Sequence, residues 1–299
     1  MRIGFVGLGQ MGRPIAHNLL KHGNDLIVSS RSDRWFAEFR EKGARCTSDV
    51  ADLADAELVF LCLPDAQTVQ AVVGGDLLVE RLGPGRTVVD LSTIAYGATI
   101  AIAQTLEARG IAFLDAPISG MEARAVDGTL TVMCGGTAEA FEQVRPILSQ
   151  IGSKILHMGP AGSGQLTKLV NQLLFDINAA GLAEILPMAA KMGLDPDLVG
   201  EVVNSGTGRS HASEFFIPRI LRGHFGDGYP LAHAYKDLVS AAELGAARTI
   251  PMPVLAAATA TYQTALLQGH GAKDKGAMVR VFEEALGVNF RSRSTGGSQ

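Results

Sequence analysis

Lys168 and Asn171 lie three residues apart behind a glycine-rich corner in Gly159–Asn171, GPAGSGQLTKLVN. The corner Gly162-Ser163-Gly164 lets backbone pass close to a ligand, and the apolar-rich run after it reads as a helix start. On a helix, side chains three apart project side by side. An ammonium beside a neutral amide can polarise an oxygen and protonate it without a metal. Taken alone, a lysine on a helix is more often a solvated charge, so its meaning rests on what else the chain carries.

A second chemical feature stands at the start. The strand-like Arg2–Val6 runs directly into Gly7-Leu8-Gly9-Gln10-Met11-Gly12, and a helical pattern follows. This is a GxGxxG fingerprint in strand–turn–helix context. Gly7 allows the tight turn, Gly9 admits the pyrophosphate to the backbone, and Gly12 lets helix and strand pack closely. The anion would rest on the helix N-terminus. The expectation is a dinucleotide site.

The second strand, Asp25–Ser29, should end in Asp or Glu if a ribose 2′-hydroxyl is held, as in NAD sites. Here Val28-Ser29-Ser30-Arg31-Ser32 follows instead. A guanidinium flanked by hydroxyls suits a 2′-phosphate. The expected cofactor is therefore NADP, with NAD possible, and with Arg31 as main determinant assisted by Ser30 and Ser32. Leu63 and Pro64 could line the same crevice, and Thr93 could contact its nicotinamide side. In Asp115-Ala116-Pro117-Ile118-Ser119-Gly120-Met121, Ser119 with the N–H groups of Gly120 and Met121 could form a small nest for a substrate carboxylate. A proline turn accounts for that loop equally well when it is seen alone.

These groups need elements to hold them. Over the first ~160 residues, strand-like runs alternate with helical patterns. The strands are Arg2–Val6, Asp25–Ser29, Leu58–Leu63, Thr87–Leu91, Ala112–Leu114, Thr129–Cys134 and Lys154–Met158. Helical patterns cover Met11–His22, Arg34–Lys42, Ala98–Arg109 and Ala138–Ile151. The alternation predicts a doubly wound, mainly parallel α/β sheet covered on both faces. From Gln165 to Met192 the chain reads as a long buried helix bent at Pro187. Asp195-Pro196 reads as an N-cap with proline at the first helical position. The remainder is all-α in pattern. The expected boundaries are 1–162 for the dinucleotide domain, 163–192 for the connecting helix, 193–290 for the helical domain and 291–299 for a flexible tail.

Composition narrows the class. The 299 residues are 47% hydrophobic and 19% charged, with formal net charge −4. That describes a compact globular chain and argues against a nucleic-acid binder. No apolar run is expected to approach the roughly eighteen residues of a membrane helix, and no signal region is expected before the first strand. Cys46, Cys62 and Cys134 lack metal-ligand spacing, and Cys62 and Cys134 read as buried thiols in a reducing cytoplasm. The seven histidines form no His-x-x-x-His or His/Cys cluster, so no metal is expected.

Four motifs in one order, GLGQMG, DAPISG, GPAGSGQLTKLVN and Lys236-Asp237-Leu238, resemble the β-hydroxyacid dehydrogenase family. That family includes 3-hydroxyisobutyrate dehydrogenases, tartronate semialdehyde reductases and glyoxylate/succinic semialdehyde reductases. The resemblance spans roughly residues 2 to 288. It implies a Rossmann domain joined by a long helix to an all-α domain, with Lys168 as catalytic lysine and Asn171 orienting the substrate. It further implies Ser119 and Gly120 on a small carboxylate, Thr93 at the nicotinamide, Lys236 from the second domain closing over the cofactor, and a homodimer or homotetramer. The stretch Glu122–Leu130 is most similar to the tartronate semialdehyde reductase branch. Met121 departs from the pattern, where the family usually has a second glycine, and Pro187 interrupts a helix that is usually uninterrupted.

The implied activity is reversible hydride transfer between nicotinamide and a short β-hydroxyacid or its semialdehyde, with Lys168 as general acid/base. The alternatives are a non-catalytic dinucleotide-binding scaffold of the same fold, or a 3-hydroxyisobutyrate-type NAD-dependent dehydrogenase. An imine-reducing relative would be expected to lack the lysine, and a phosphogluconate-type enzyme to carry a longer helical domain.

Overall fold

The computed structural model describes residues 1–74 and 80–293. The chain divides into two compact units, Met1–Lys168 and Leu169–Gln299.

The first unit opens with β1 (Arg2–Val6), α1 (Gly12–Lys21), β2 (Asp25–Ser29), α2 (Phe36–Glu41), β3 (Arg45–Thr47) and β4 (Leu58–Leu61). It continues through α3 (Ala66–Gly74), β5 (Thr87–Asp90), α4 (Tyr96–Glu107), β6 (Ala112–Asp115), β7 (Ile118–Ser119) and α5 (Met121–Val126). β8 (Leu130–Gly135), α6 (Ala138–Leu148) and β9 (Gly152–Gly159) complete it. The sheet order is β3-β2-β1-β4-β5-β6-β8-β7, with β9 also on β8. β3 through β6 pair in parallel, β8 is antiparallel to β6 and β7, and β9 is parallel to β8.

Alternation along the strands feeds two cores, because successive side chains leave opposite faces of a sheet. Ile3, Phe5, Leu26, Val28 and Phe60 pack on one face with Ile15 and Leu19 of α1 and Phe141 of α6. Val6, Ile27, Val59, Leu61 and Val88 pack on the other with Val69 of α3 and Ile102 of α4. The expected sheet covered on both faces is what forms. Strands β3 and β7 and helices α3 and α5 are additions to the sequence reading. β4 and β5 end earlier than their apolar runs, because Cys62, Leu63 and Leu91 lie beyond the last paired residues.

α7 (Ser163–Lys191) is continuous and contains Pro187. It begins in the first unit and supplies Ala179, Ala180, Ala183, Leu186 and Ala189 to the second unit's core. Two expectations need correction here. By length and composition α7 could cross a membrane, because its middle is mostly apolar and its charges are confined to Lys168, Asp176, Glu184 and Lys191. The helix is also not buried all round, since Val170, Leu174, Ile185 and Met188 are exposed.

The second unit continues with α8 (Pro196–Ser205), α9 (His211–Leu221), α10 (Leu231–Arg248), α11 (Pro253–Leu267) and α12 (Val279–Leu286). Asp195 caps α8 through the N–H groups of Asp197 and Leu198, with Pro196 at the start. Helices thus dominate the described residues of this unit. The expected tail at 291–299 does not begin free: Arg291 bonds Glu283, and Ser292 N donates to Leu221 O at 2.9 Å. From 294 onward that expectation lies outside the described residues.

Candidate active site

The parallel strands finish in one row. Ser29 lies beside Val6, Val6 beside Leu61, Leu61 beside Asp90 and Asp90 beside Asp115. Winding reverses between β1 and β4, which makes their carboxyl ends the place where an open α/β sheet leaves a crevice.

Gly7 turns out of β1 at φ 103°. A Cβ there would strike the Cys62 carbonyl, and one on Gly12 would strike the Gly7 carbonyl. A Cβ on Gly9 would meet nothing within 4 Å. Two glycines are therefore required by packing, and the third leaves an open backbone. No acidic residue stands in the first turn of α1, so its positive dipole end is not offset by a side chain of its own. The loop fits a dinucleotide pyrophosphate. Leu8 is buried beneath it, Met11 is half-buried, and Gln10 Nε2 donates to Glu122 of α5 at 2.8 Å.

At the end of β2, Ser30 is half-buried while Arg31 and Ser32 are exposed. The guanidinium groups of Arg13 and Arg34 lie over the Trp35 ring, 3.8 and 4.5 Å from its centre. Arg13 also makes a two-point contact with Glu38 at 3.0 and 3.1 Å. Among the described residues, Arg31 has no ion-pair partner.

Past β4 and β5, Leu63 is half-buried and Pro64 and Thr93 are exposed. Ser92 ties these two loops together, its Oγ accepting from Leu63 N at 2.9 Å while its own N–H donates to Asp90 Oδ1 at 2.9 Å. Burial pushes the Asp90 carboxyl up to about 7, against the lowering effect of its bonds to Ser92. Burial likewise pushes the thiols of Cys62 and Cys134 up to about 12. The expectation of two buried cysteines needs adjustment, since Cys134 is buried but Cys62 is intermediate.

Asp115, the last residue of β6, holds the start of α7. Its Oδ1 accepts from Gly162 N at 2.6 Å and its Oδ2 from Gln165 N at 2.8 Å. Burial raises the Asp115 carboxyl and these backbone donors pull it back down. Close packing makes the glycines necessary: a Cβ on Gly164 would strike the Met133 carbonyl, and one on Gly162 the Tyr96 ring. Lys168 sits one turn further along α7 and is 9% exposed. That is not the solvated lysine which helical position alone suggests.

The substrate-loop residues lie beyond β6. Ser119 ends β7, paired with Thr131 of β8. Gly120 has φ 143°, and Met121 has φ 58° with 51% exposure. A left-handed backbone at Met121 explains on steric grounds why glycine suits the position.

The first unit thus gathers Gly7–Gly12, Ser30–Ser32, Leu63, Pro64, Thr93 and the start of the Lys168 helix along the carboxyl ends of its parallel strands. Asn171, exposed on α7, and Lys236, exposed on α10, belong to the second unit. Sequence reasoning gave no role to Asp90, Ser92, Asp115 or Gln165, which it met only as parts of strand ends and a helix start. The available signal was an aspartate closing two successive apolar strands, Asp90 and Asp115, at matched register. Among the described residues no group of three or more His, Cys, Asp or Glu could hold a metal ion.

Residues 2–159 match the family described as the NAD binding domain of 6-phosphogluconate dehydrogenase. Residues 162–282 match the one described as NAD-binding of NADP-dependent 3-hydroxyisobutyrate dehydrogenase. The chain is 35% identical to 2-(hydroxymethyl)glutarate dehydrogenase of Eubacterium barkeri, covering 97% of each chain. It is 30% identical to human mitochondrial 3-hydroxyisobutyrate dehydrogenase, covering 94% of this chain and 87% of that protein. Among solved structures, Mycobacterium tuberculosis 3-hydroxyisobutyrate dehydrogenase with L-serine superposes with TM-score 0.85 at 27% identity, covering 93% of this chain and 98% of that one.

Proposed function

The chain belongs to the β-hydroxyacid dehydrogenase family, whose members are NAD(P)-dependent oxidoreductases, and from that premise we propose that it is an NADPH-preferring reductase of short semialdehydes. The reaction runs reversibly to the β-hydroxyacid, and tartronate semialdehyde or a close relative is the favoured substrate.

The observation that carries this reading is Lys168: a lysine only 9% exposed in the second turn of a helix whose start is fastened to the strand-end row by Asp115. In reduction Lys168 gives a proton to the substrate oxygen, and in oxidation its neutral form takes that proton back. Asn171, three residues on along the same helix, orients that oxygen. Ser119 and Gly120, with the Met121 N–H, hold the carboxylate, and Thr93 lies on the nicotinamide side. The bound nicotinamide supplies or accepts the hydride. Gly7–Gly12 hold its pyrophosphate, Arg31 with Ser30 and Ser32 its 2′-phosphate, and Leu63 and Pro64 further parts of the cofactor.

Two readings of scale and place accompany this one. The exposed apolar flank of α7, including Val170, Leu174, Ile185 and Met188, supports a homodimer or homotetramer, which light scattering tests. The three free thiols suit a reducing cytoplasm.

The test is an absorbance assay with NADPH and NADH over tartronate semialdehyde, succinic semialdehyde, 3-hydroxyisobutyrate and 2-(hydroxymethyl)glutarate. Lys168→Ala should lose several orders of magnitude in turnover while still binding NADPH, and near-wild-type turnover removes the mechanism. Arg31→Ala should narrow the NADPH-to-NADH affinity ratio, and an unchanged ratio removes the cofactor preference.

A further inference from the structure

Gln165 stands on the first turn of α7, 3% exposed, with every polar group of its side chain directed at one loop. Its Nε2 donates to Ser92 O at 2.7 Å, and its Oε1 accepts from Ile94 N at 3.2 Å. Those two backbone groups lie on either side of Thr93. Its own N–H is held by Asp115 Oδ2 at 2.8 Å. The same loop is fastened from the other side, where Ser92 N bonds Asp90 and Ser92 Oγ bonds Leu63 N. One chain of hydrogen bonds, part-buried at Leu63 and buried from Ser92 onward, therefore runs from Leu63 through Ser92 and Gln165 to Asp115 and Gly162.

We propose that Gln165 is a positioning residue for the hydride-transfer reaction, clamping the Ser92–Ile94 peptide to the helix that carries Lys168. This rests on the reading of Lys168 as proton donor and Thr93 as the nicotinamide-side residue. A primary amide is the side chain that fits: it donates to a carbonyl and accepts from an N–H at once. Thr93 itself is exposed, so its position is set by its flanking peptides rather than by packing of its side chain. Gln165 and Lys168 are three apart on one helix, so a rigid link from Gln165 to the Thr93 peptide fixes both sides of the reacting centre together.

Two variants separate this role from a general contribution to folding. Gln165→Met keeps the length and removes both hydrogen bonds. Its kcat should fall by about 10- to 100-fold, the cost of a misplacement of about an ångström. Its affinity for NADPH should fall several-fold, while that for 2′-phospho-ADP-ribose, which lacks nicotinamide, stays at the wild-type value. Gln165→Glu adds a pH signature. Neutral, the carboxyl group can donate to Ser92 O and accept from Ile94 N as the amide does; ionised, it still accepts from Ile94 N but has no donor for the Ser92 carbonyl and repels it.

The titratable and charged groups on the elements packed about this clamp are Asp90 on β5, Asp115 on β6, Cys62 past β4, Cys134 on β8, Tyr96 on α4 and Lys168 on α7. Burial, then Asp115 and, once ionised, Asp90 oppose ionisation of a glutamate there, whereas the Lys168 ammonium favours it. The Gln165→Glu variant should therefore approach wild-type kcat at low pH and lose it as pH rises, through an ionisation absent from the wild-type and Gln165→Met profiles.

Wild-type kcat in Gln165→Met, or equal losses of affinity for NADPH and the nicotinamide-free fragment, overturns the proposal. If Gln165→Met does not fold, the Gln165→Glu profile decides, and a profile parallel to wild type overturns it. Lys168→Ala, run beside them, keeps the two ideas apart. Retained turnover there defeats the proton-donor reading, whereas a dead Lys168→Ala with an unaffected Gln165→Met defeats only the positioning role.

Discussion

Asp115, at the end of β6, and Asp176, within α7, are both fully buried, one in each unit. Asp115 is held by backbone N–H groups of Gly162, Gly164 and Gln165. Asp176 instead meets the ammonium of Lys275, which is itself buried and lies 4.5 Å from the centre of the Phe175 ring. Burial raises the Asp176 carboxyl, and the lysine beside it lowers it again. The first arrangement aligns a helix start, because backbone donors have directions fixed by φ and ψ. The second balances a charge, because an ammonium is a compact cation on a flexible stem. The carboxylate that serves chemistry should thus be the one satisfied by peptide groups, and the one that serves the core should be the one satisfied by charge.

The largest effects should come from breaking each arrangement. Lys275→Met leaves Asp176 buried without its cation and should cost about 3–5 kcal/mol in chemical denaturation. The double variant Lys275→Met/Asp176→Leu should recover most of that, since a buried ion pair is often no better than apolar packing. Asp115→Ala should act oppositely, lowering kcat by at least tenfold or so as the start of α7 loosens. Equal kcat losses in the Lys275 and Asp115 variants would erase the distinction.

A smaller effect sharpens the first half of the comparison. Asp90 is raised to about 7 from 3.8, so the folded state keeps a proton that the unfolded chain releases. Its stabilising contribution is fully present below about pH 4 and is lost as pH rises through about 7. Asp90→Asn cannot ionise, so its unfolding free energy should lack that decline, worth a few kcal/mol across the window. Denaturation curves at pH 5 and pH 8 measure it, and an equal decline in both proteins assigns the slope to other groups.

The smallest effect concerns the substrate loop. Met121 holds φ 58°, and Met121→Gly should raise stability by roughly 0.5–1 kcal/mol by relieving that strain. Its thioether is exposed rather than packed in the core, so little burial is lost. Changed substrate preference on the semialdehyde panel would show that the methionine shapes the acid site, while unchanged preference would limit it to backbone geometry.

Much of the architecture was readable in advance. β1, the Gly7–Gly12 turn and α1 followed from a fingerprint whose glycines have separate physical duties, and the Asp195 cap with Pro196 followed from local capping chemistry. The short β3 and β7 were not readable, because two or three residues carry no periodicity and become strands only by pairing. α5 was hidden because it starts at a residue in left-handed backbone. The candidate side chains were named from type, spacing and the family resemblance, yet their surroundings were not. Lys168 reads as a surface charge in a helical pattern and is nearly covered in the fold.

The chain alone determined where strands alternate with helices and where a phosphate could approach backbone, while its four ordered motifs, through the family resemblance, singled out one lysine. The first two rest on neighbours in sequence, whose relative geometry the peptide backbone constrains. Only the tertiary structure decided what holds that lysine in place. Residues distant in sequence, from Leu63 and Asp90 to Asp115 and Gln165, meet because parallel strands end in one row, and their hydrogen bonds form only once water has been excluded from it.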